Sequence, residues 1–230
     1  MKTIFYIDGF NFYHARLRNN RQYRWLNVYE LAKIIAAKDD ANSTVDRVNF
    51  YTAYVSGKID HNAVGKQQAY LAALRSTAAV EIHSGNFIIS NRWVKLVHPP
   101  RSKPDGYQWQ APHPEFVFVA TPQEKGTDVK LGVHLVRDAF QNKFDVAYVL
   151  TNDTDLVEPV RIVTEELGKK VVVVAPVKPQ HASKPVPAPS LVKVATSVAY
   201  IDDADLVAAQ FPDTVERGKM KPLTKPVDWI

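Results

Sequence analysis

The stretch KKVVVVA, residues 169–175, places five apolar residues in an unbroken run after two lysines. A strand with one face in water alternates apolar and polar residues, so an unbroken run indicates a strand that is buried on both faces. Strands of this kind are typical of parallel sheets that helices cover on each side. The stretch DVAYVL, residues 145–150, has the same character. These two stretches predict an α/β fold.

Strand-like and helical segments alternate along much of the remaining chain. Apolar spacing and composition predict strands over 3–7, 45–55 and 80–89, and helices over 27–38, 62–76, 127–141 and 156–168. The order is a βαβ succession, which favours a central, mainly parallel sheet.

Two segments interrupt this order. Apolar arms flank a proline-rich excursion over about 90–120, which predicts a β-hairpin insertion. Five prolines over 176–190 disfavour a regular helix or a central strand and predict a loop. We expect one domain over 1–211, followed by a poorly ordered tail over 212–230.

Composition limits the chemistry that the chain can perform. The 230 residues include no cysteine, so disulfides, zinc–thiolate sites and cysteine nucleophiles are excluded, and a metal needs oxygen or imidazole ligands. The sequence has no signal-peptide pattern and no run of about 18 apolar residues, so we expect a soluble, cytoplasmic protein. A net charge of +5 and a pI near 9.2 are compatible with an anionic partner such as nucleic acid.

Four aspartates occur where the predicted strands and loops meet. Asp8 directly follows the first strand, Asp153 and Asp155 follow the strand that ends at residue 150, and Asp128 stands at the start of a helix. Because the carboxyl ends of parallel strands lie at one edge of a sheet, we expect these carboxylates to meet there. They would repel each other unless a cation neutralised them. Oxygen ligands of this kind point to Mg²⁺ or Mn²⁺.

The same residues also have a purely structural interpretation. Asp155 and Glu158 have the spacing of a helix N-cap and its N3 partner. Thr127 or Asp128 could cap the following helix, and Asn11 could occupy a left-handed turn position. Capping does not account for the carboxylate directly after the first strand or for the doubled aspartates.

Three blocks of the chain resemble the motifs of the NYN family, a branch of the PIN-like nucleases. They are YIDGFNFY, EKGTDVKLGVHL and VLTNDTDLVEPVRIVTEELGKKVVVV, in that order. The resemblance covers about residues 3–201, and the proline-rich stretch 97–115 matches least. It implies a three-layer α/β/α sandwich of the PIN-like type with a central, mainly parallel sheet, and metal-dependent endoribonuclease activity.

Carried over by position, the resemblance implies roles for the acidic blocks. Asp8, Asp128 and Asp153 would hold Mg²⁺ or Mn²⁺ directly or through water. Asp155 would be a further ligand or would activate the attacking water. Asn11 would help to hold the site beside Asp8.

The third block departs from the family pattern S-G-D-x-D. Thr151 replaces the serine and Asn152 replaces the glycine, which keeps a small polar loop. We expect both residues, and Lys125 before the second block's aspartate, to contact the substrate. His134 stands where some relatives carry another acidic residue, which leaves one carboxylate fewer for a second metal.

A basic and aromatic stretch follows the first acidic block. It supplies Arg16, Arg18, Arg21 and Arg24 beside Tyr13, Tyr23 and Trp25. Arginines neutralise phosphates and aromatic rings stack on unpaired bases, which predicts single-stranded RNA as the partner. The alternative is a solvated loop whose aromatic residues anchor it to the core.

These observations favour a metal-dependent ribonuclease. The alternative is a non-catalytic RNA-binding or regulatory module of the same fold, for which His134 is the best argument. A phosphatase with an aspartyl nucleophile is disfavoured, because that chemistry needs a second aspartate at the position of Phe10. Trp93 and Trp109 in the predicted hairpin hint at a homodimer.

Overall fold

The structure is a computed structural model that describes residues 1–55, 57, 61–97, 106, 108, 112–177 and 187–229. The strands are β1 (Lys2–Asp8), β2 (Thr44–Ala53), β3 (Val80–Lys95), β4 (Phe116–Lys125), β5 (Val146–Leu150), β6 (Lys170–Ala175), β7 (Ser197–Tyr200), β8 (Thr214–Arg217) and β9 (Met220–Thr224). The helices are α1 (Gly9–Phe12), α2 (Val28–Asp39), α3 (His61–Arg75), α4 (Thr127–Phe140), α5 (Val157–Arg161), α6 (Pro189–Val194) and α7 (Asp203–Ala208). A π-helical turn over Tyr13–Leu17 continues α1, and another over Ile162–Glu166 continues α5.

The main sheet has the strand order β4-β3-β2-β1-β5-β6-β7. Each neighbouring pair is parallel except β3 and β4, which are antiparallel. The prediction of an α/β fold with a central, mainly parallel sheet is therefore confirmed. The predicted strands and helices all occur, with small shifts at their ends.

Alternate residues of β1 enter two separate cores, one on each face of the sheet. Phe5 and Ile7 belong to a cluster that includes residues of α2 and α3. Ile4 and Tyr6 belong to a second cluster with residues of α4 and α5. Helices therefore cover both faces, which explains why the central strands carry unbroken apolar runs.

The strand order reverses at β1. The chain passes from β1 to β2 and β3 on one side, and it later returns to β5 and β6 on the other side. In open α/β sheets, ligands bind outside the carboxyl ends of the strands at such a reversal. The carboxyl ends of β1 and β5 therefore define the expected location of a site.

Strand β3 takes part in two pairings. Residues 80–85 pair in parallel with β2, and residues 86–95 pair with β4 in an antiparallel hairpin. The hairpin therefore extends past Ala53, the last residue of β2, at the carboxyl edge of the sheet. The two arms of the predicted insertion are confirmed, and most of its proline-rich centre lies outside the described residues.

The hairpin carries an exposed aromatic pair. Trp93 is 68% exposed, and its ring centroid lies 5.3 Å from that of Phe118 on the paired strand. Trp109 lies outside the described residues. The homodimer inferred from these tryptophans stays a prediction.

The C-terminal segment differs from the expected tail. Strands β8 and β9 pair, and Val215 and Trp229 are buried in the core. The Trp229 ring lies 6.2 Å from the rings of both Trp25 and Tyr70. The apolar residues of this segment are few and are separated by prolines and charged residues, so its sequence has no periodic pattern that predicts strands. One large buried ring, that of Trp229, nevertheless packs the segment against the core.

The proline-rich loop is only partly described, because residues 178–186 fall outside the described ranges. Its predicted end at residue 190 is too late, since Pro189 already lies in the first turn of α6. Proline is favoured there because the first turn of a helix needs no backbone N–H donor. No helix in the described part of the chain is long and apolar enough to cross a membrane.

The packing of the C-terminal segment can be tested by truncating one side chain. Trp229→Ala is expected to lower the free energy of unfolding by about 3 kcal/mol, because it removes a buried aromatic ring. Val227 is 86% exposed, so Val227→Ala is expected to change it by less than about 0.5 kcal/mol. Urea unfolding measures both, and equal stabilities would contradict the packing.

Candidate metal centre

Three separate parts of the chain bring carboxylates to the reversal point. Asp8 ends β1, Asp128 lies in the first turn of α4, and Asp153 lies in the loop after β5. One oxygen atom from each carboxylate lies within 4.8 Å of the others. Three of the four aspartates that were predicted to meet therefore lie together.

Asp8 is held by two hydrogen bonds and is 3% exposed. The Asn11 backbone N–H donates to Oδ1 at 2.9 Å, so Asp8 caps α1. The Thr151 hydroxyl donates to Oδ2 at 3.0 Å. A helix can begin directly after the strand because residue 9 is glycine, where a Cβ would lie 2.5 Å from the Tyr51 carbonyl oxygen. Asp8 therefore both caps α1 and contributes a carboxylate to the acidic cluster.

The loop after β5 is fixed by polar side chains. The Thr151 hydroxyl oxygen accepts a hydrogen bond from the Asp153 backbone N–H at 3.0 Å. The Asn11 side-chain oxygen accepts one from the Asn152 N–H at 3.1 Å. The Asn152 side-chain oxygen in turn accepts one from the Ala188 N–H at 2.7 Å. The loop is thus attached to α1 on one side and to the start of α6 on the other.

Burial and like charge raise the proton affinity of the cluster. Burial is the main cause that raises the pKa of Asp8 from 3.8 to about 6, and Asp128 and Asp153 raise it further. The bonds from Asn11 and Thr151 act in the opposite direction. Burial, and then the charges of Glu124, Asp153 and Asp155, also raise the pKa of Asp128. At an effective dielectric constant near 20, each pair of charges at this separation repels by roughly 3 kcal/mol.

Glu124 is a site residue that sequence reasoning missed. Its Oε1 accepts a hydrogen bond from the Thr127 backbone N–H at 3.2 Å. Because the N-cap residue Gly126 has no side chain, Glu124 satisfies this donor at the start of α4. Among the charged neighbours of Asp128, it raises that pKa most. The sequence feature that could have identified Glu124 as a site residue is its position, near the end of β4 and four residues before Asp128.

The helix caps and turns in the structure differ from those that the sequence patterns suggested for these residues. Asp153, and not Asp155, caps the turn that precedes α5, by accepting the Asp155 N–H at 3.1 Å. Neither Thr127 nor Asp128 is the N-cap of α4, since that residue is Gly126. Asn11 lies within α1, not in a left-handed turn.

Two further predicted residues lie apart from the three carboxylates. Asp155 is exposed and does not join the group within 4.8 Å. The His134 Nδ1 lies 3.0 Å from the Tyr51 hydroxyl, and its ring packs edge-on to His83 at 4.7 Å. Burial, and then Arg137, lower the pKa of His134. His134 is thus part of an aromatic cluster over the sheet.

Two residues that were predicted to contact the substrate, Arg16 and Thr151, are buried instead, so these two predictions are wrong. Arg16 is 4% exposed, and its guanidinium donates to Asp203 at 2.6 Å and to the Ile201 carbonyl oxygen. Thr151 is fully buried, and its hydroxyl proton is donated to Asp8. Both side chains are occupied by internal contacts, so neither is available to a substrate phosphate.

The other basic and aromatic residues divide into two groups. Arg18, Arg21 and Lys125 are exposed, as is Tyr13, and these remain candidates for contact with a substrate. Trp25 is fully buried, and its indole N–H donates to the Pro212 carbonyl oxygen. The anchoring interpretation is therefore correct for Trp25.

The residues present fit a hard divalent cation. The three ligand atoms are carboxylate oxygens, which Mg²⁺ and Mn²⁺ prefer. A cation at this position would relieve the mutual repulsion of the three charges and would oppose the rise in the Asp8 pKa.

The raised pKa gives a prediction about stability. Since the folded protein binds the Asp8 proton more tightly than the unfolded chain does, stability falls as pH rises from about 4 to about 6 and stays low above that. Asp8→Asn should therefore raise the free energy of unfolding by about 2 kcal/mol at pH 8 in a chelator. Thermal unfolding with and without Mn²⁺ measures this. A destabilised variant that is still stabilised by Mn²⁺ as strongly as wild type would contradict it.

Comparisons with known proteins place the chain in a family. The chain is 26% identical to a protein of Pseudomonas putida named 6-hydroxy-3-succinoylpyridine 3-monooxygenase HspA, over 100% of this chain and 75% of that one. A crystal structure of a protein of unknown function from Vibrio parahaemolyticus has a TM-score of 0.49 and 18% identity, over 88% of this chain and 93% of that one. The model of the NYN domain matches residues 2–202. The chain belongs to the NYN domain family.

Proposed function

We propose that this chain is a metal-dependent endoribonuclease with a PIN-like domain, which hydrolyses phosphodiester bonds of single-stranded RNA with Mg²⁺ or Mn²⁺. The observation that carries the proposal is the convergence of Asp8, Asp128 and Asp153 at the strand reversal. Membership of the NYN family, which is related to nucleases, supports it.

The chemistry follows from the charge on the phosphodiester. A divalent cation bound to the three aspartates would polarise the phosphate and lower the pKa of a coordinated water. Thr151 and Asn11 would act as positioning residues, because their hydrogen bonds fix Asp8 and the loop after β5. The exposed Asp155 would accept a proton from the attacking water at the outer side of the cluster.

The same carboxyl edge offers positive charge for the RNA strand. Arg18 and Arg21 follow α1 and the π-helical turn after it, and Lys125 ends β4. All three side chains are exposed, and they are close in sequence to Asp8 or Asp128. These side chains would neutralise flanking phosphates, while Tyr13 would offer an exposed ring to an unpaired base.

A second candidate function is a non-catalytic RNA-binding or regulatory module. It is favoured by the position of Asp155, which lies outside the group of three, and by His134, which bonds to Tyr51. Such a module would bind RNA through the same cations. Binding of RNA without cleavage in either metal would favour it.

The name of the Pseudomonas relative raises a third activity. At 26% identity, hydroxylation of a substituted pyridine is not carried over to this chain. Oxygen consumption with 6-hydroxy-3-succinoylpyridine and a reduced nicotinamide would show whether the two proteins share it.

The nuclease proposal can be tested by neutralising one carboxylate. Asp153→Asn is expected to slow cleavage of single-stranded RNA about 100-fold or more, since removal of one group that organises charge costs roughly 10²–10³ in rate. The control is Asp46→Asn, an exposed aspartate near the opposite end of β2, which should retain wild-type rates. Cleavage is followed on a labelled RNA with Mg²⁺, Mn²⁺ or a chelator. Wild-type protein that cuts in neither metal, or a variant that cuts equally well, refutes the proposal.

The basic residues can be separated into RNA contacts and structural residues. Arg18→Ala with Arg21→Ala should weaken RNA binding in a chelator about tenfold and reduce the salt slope by about 0.7 for each lost phosphate contact. Lys2→Ala with Lys170→Ala removes equal charge at the other edge and should have little effect. Arg16→Met should instead lower the free energy of unfolding by about 2 kcal/mol, because it breaks buried hydrogen bonds to a charged group. Fluorescence anisotropy and urea unfolding measure the two effects, and equal affinity losses in both double variants would contradict the assignment.

A further inference from the structure

A cavity of about 330 Å³ reaches Gly9, the residue that follows Asp8. Its walls come from α1 and the π-helical turn after it, the carboxyl end of β2, helix α3 and the C-terminal segment. Sites for small ligands span roughly 300–1,000 Å³ and are lined mainly by apolar and aromatic groups. This cavity has that size and that character.

Aromatic rings form much of the lining. Phe50, Tyr70 and Trp229 contribute from the core, while Phe10 and Tyr13 are partly exposed. Rings of this kind favour an aromatic ligand, because aromatic rings attract one another both offset-stacked and edge-to-face. The lining therefore points to an aromatic or heteroaromatic ring as the occupant.

Polar groups in the lining can orient such a ring. The indole N–H of Trp229 is buried and has no acceptor among the described residues, so an acceptor on a ligand could satisfy it. The Arg24 guanidinium lies 5.5 Å from the centre of the Tyr13 ring and donates to backbone carbonyls, with no carboxylate partner in the described ranges. Its positive charge favours a ligand that carries an anionic group.

The cavity begins one residue from the metal centre. Gly9 lines the cavity and directly follows Asp8, and the Cα atoms of adjacent residues are about 3.8 Å apart. A nucleotide whose base occupies the Gly9 end of the cavity would therefore have its phosphate within reach of the carboxyl edge that carries the three carboxylates. An unpaired nucleotide within a strand has this combination of a flat ring and a linked phosphate.

We propose that the cavity holds an unpaired base of the RNA strand, next to the phosphodiester that the acidic cluster cleaves. The inference rests on the proposed ribonuclease function. One wall is Trp229, which lies outside the family match over 2–202, and the Lys66–Asp228 ion pair at 2.6 Å attaches that wall to α3. This wall of the cavity therefore comes from outside the matched family domain.

The test measures nucleotide binding without cleavage. Calorimetric titrations of the protein with AMP, GMP, CMP and UMP in Mn²⁺ are compared between wild type and two variants of α3. These mononucleotides contain no phosphodiester bond, so an endoribonuclease does not cleave them. Ala63 lines the cavity, and Ala63→Phe should weaken binding of the preferred nucleotide at least tenfold. Ala69 is a partly exposed residue of the same helix outside the lining, and Ala69→Phe should change it less than twofold.

A second variant guards against misfolding. Phe10 is 44% exposed, so Phe10→Ala should keep the fold and still weaken binding at least threefold. The inference is overturned if no nucleotide binds, or if pyridine carboxylates bind in place of nucleotides. It is also overturned if both α3 variants have unchanged unfolding temperatures and bind the nucleotide alike, while Phe10→Ala binds it like wild type. RNA cleavage that persists in such a case leaves the ribonuclease function standing. Nucleotide binding without any cleavage would refute the ribonuclease function alone.

Discussion

Electrostatic repulsion among Asp8, Asp128 and Asp153 is the constraint around which this carboxyl edge is organised. The fold places the three carboxylates together because β1 and β5 are neighbours at the strand reversal and α4 starts beside them. Burial of Asp8 increases the cost, since a buried carboxylate loses its hydration. Neighbouring hydrogen bonds to Asp8 offset part of this cost. The region therefore has the features of a site where the arrangement that could hold a cation lowers the stability of the fold.

The polar residues around the cluster act as one connected unit. Thr151 has a single hydroxyl proton, which it donates to Asp8 while its oxygen accepts from the Asp153 backbone. Asn11 and Asn152 extend the connection from α1 to the residue before α6. Residues that the sequence presented as candidates for substrate contact thus serve partly to hold the carboxylates in place. Both hydrogen bonds of Thr151 use its hydroxyl group, which serine and threonine have in common.

Local patterns predicted the features that depend on neighbouring residues. The run KKVVVVA gave the buried strand, and the positions of the aspartates at strand ends located the cluster, because parallel strands share a carboxyl edge. Features that depend on distant contacts escaped prediction. Arg16 is buried because it meets Asp203, 187 residues later, and Trp229 docks on Trp25 from the far end of the chain. Glu124 was missed because the predicted hairpin insertion ended at about residue 120, whereas β4 continues to Lys125 and carries Glu124 to the start of α4.

The double pairing of β3 links two distant parts of the molecule mechanically. Its residues 80–85 belong to the rigid sheet and its residues 86–95 to the projecting hairpin, without a break between them. At the junction, Gly85 packs so closely on Glu124 and Thr127 that a Cβ there would lie within 2.8 Å of both. A pull on the hairpin would thus act as a lever on the start of α4. Because Asp128 lies in the first turn of α4, the position of the hairpin and the position of this carboxylate are linked through the packing at Gly85.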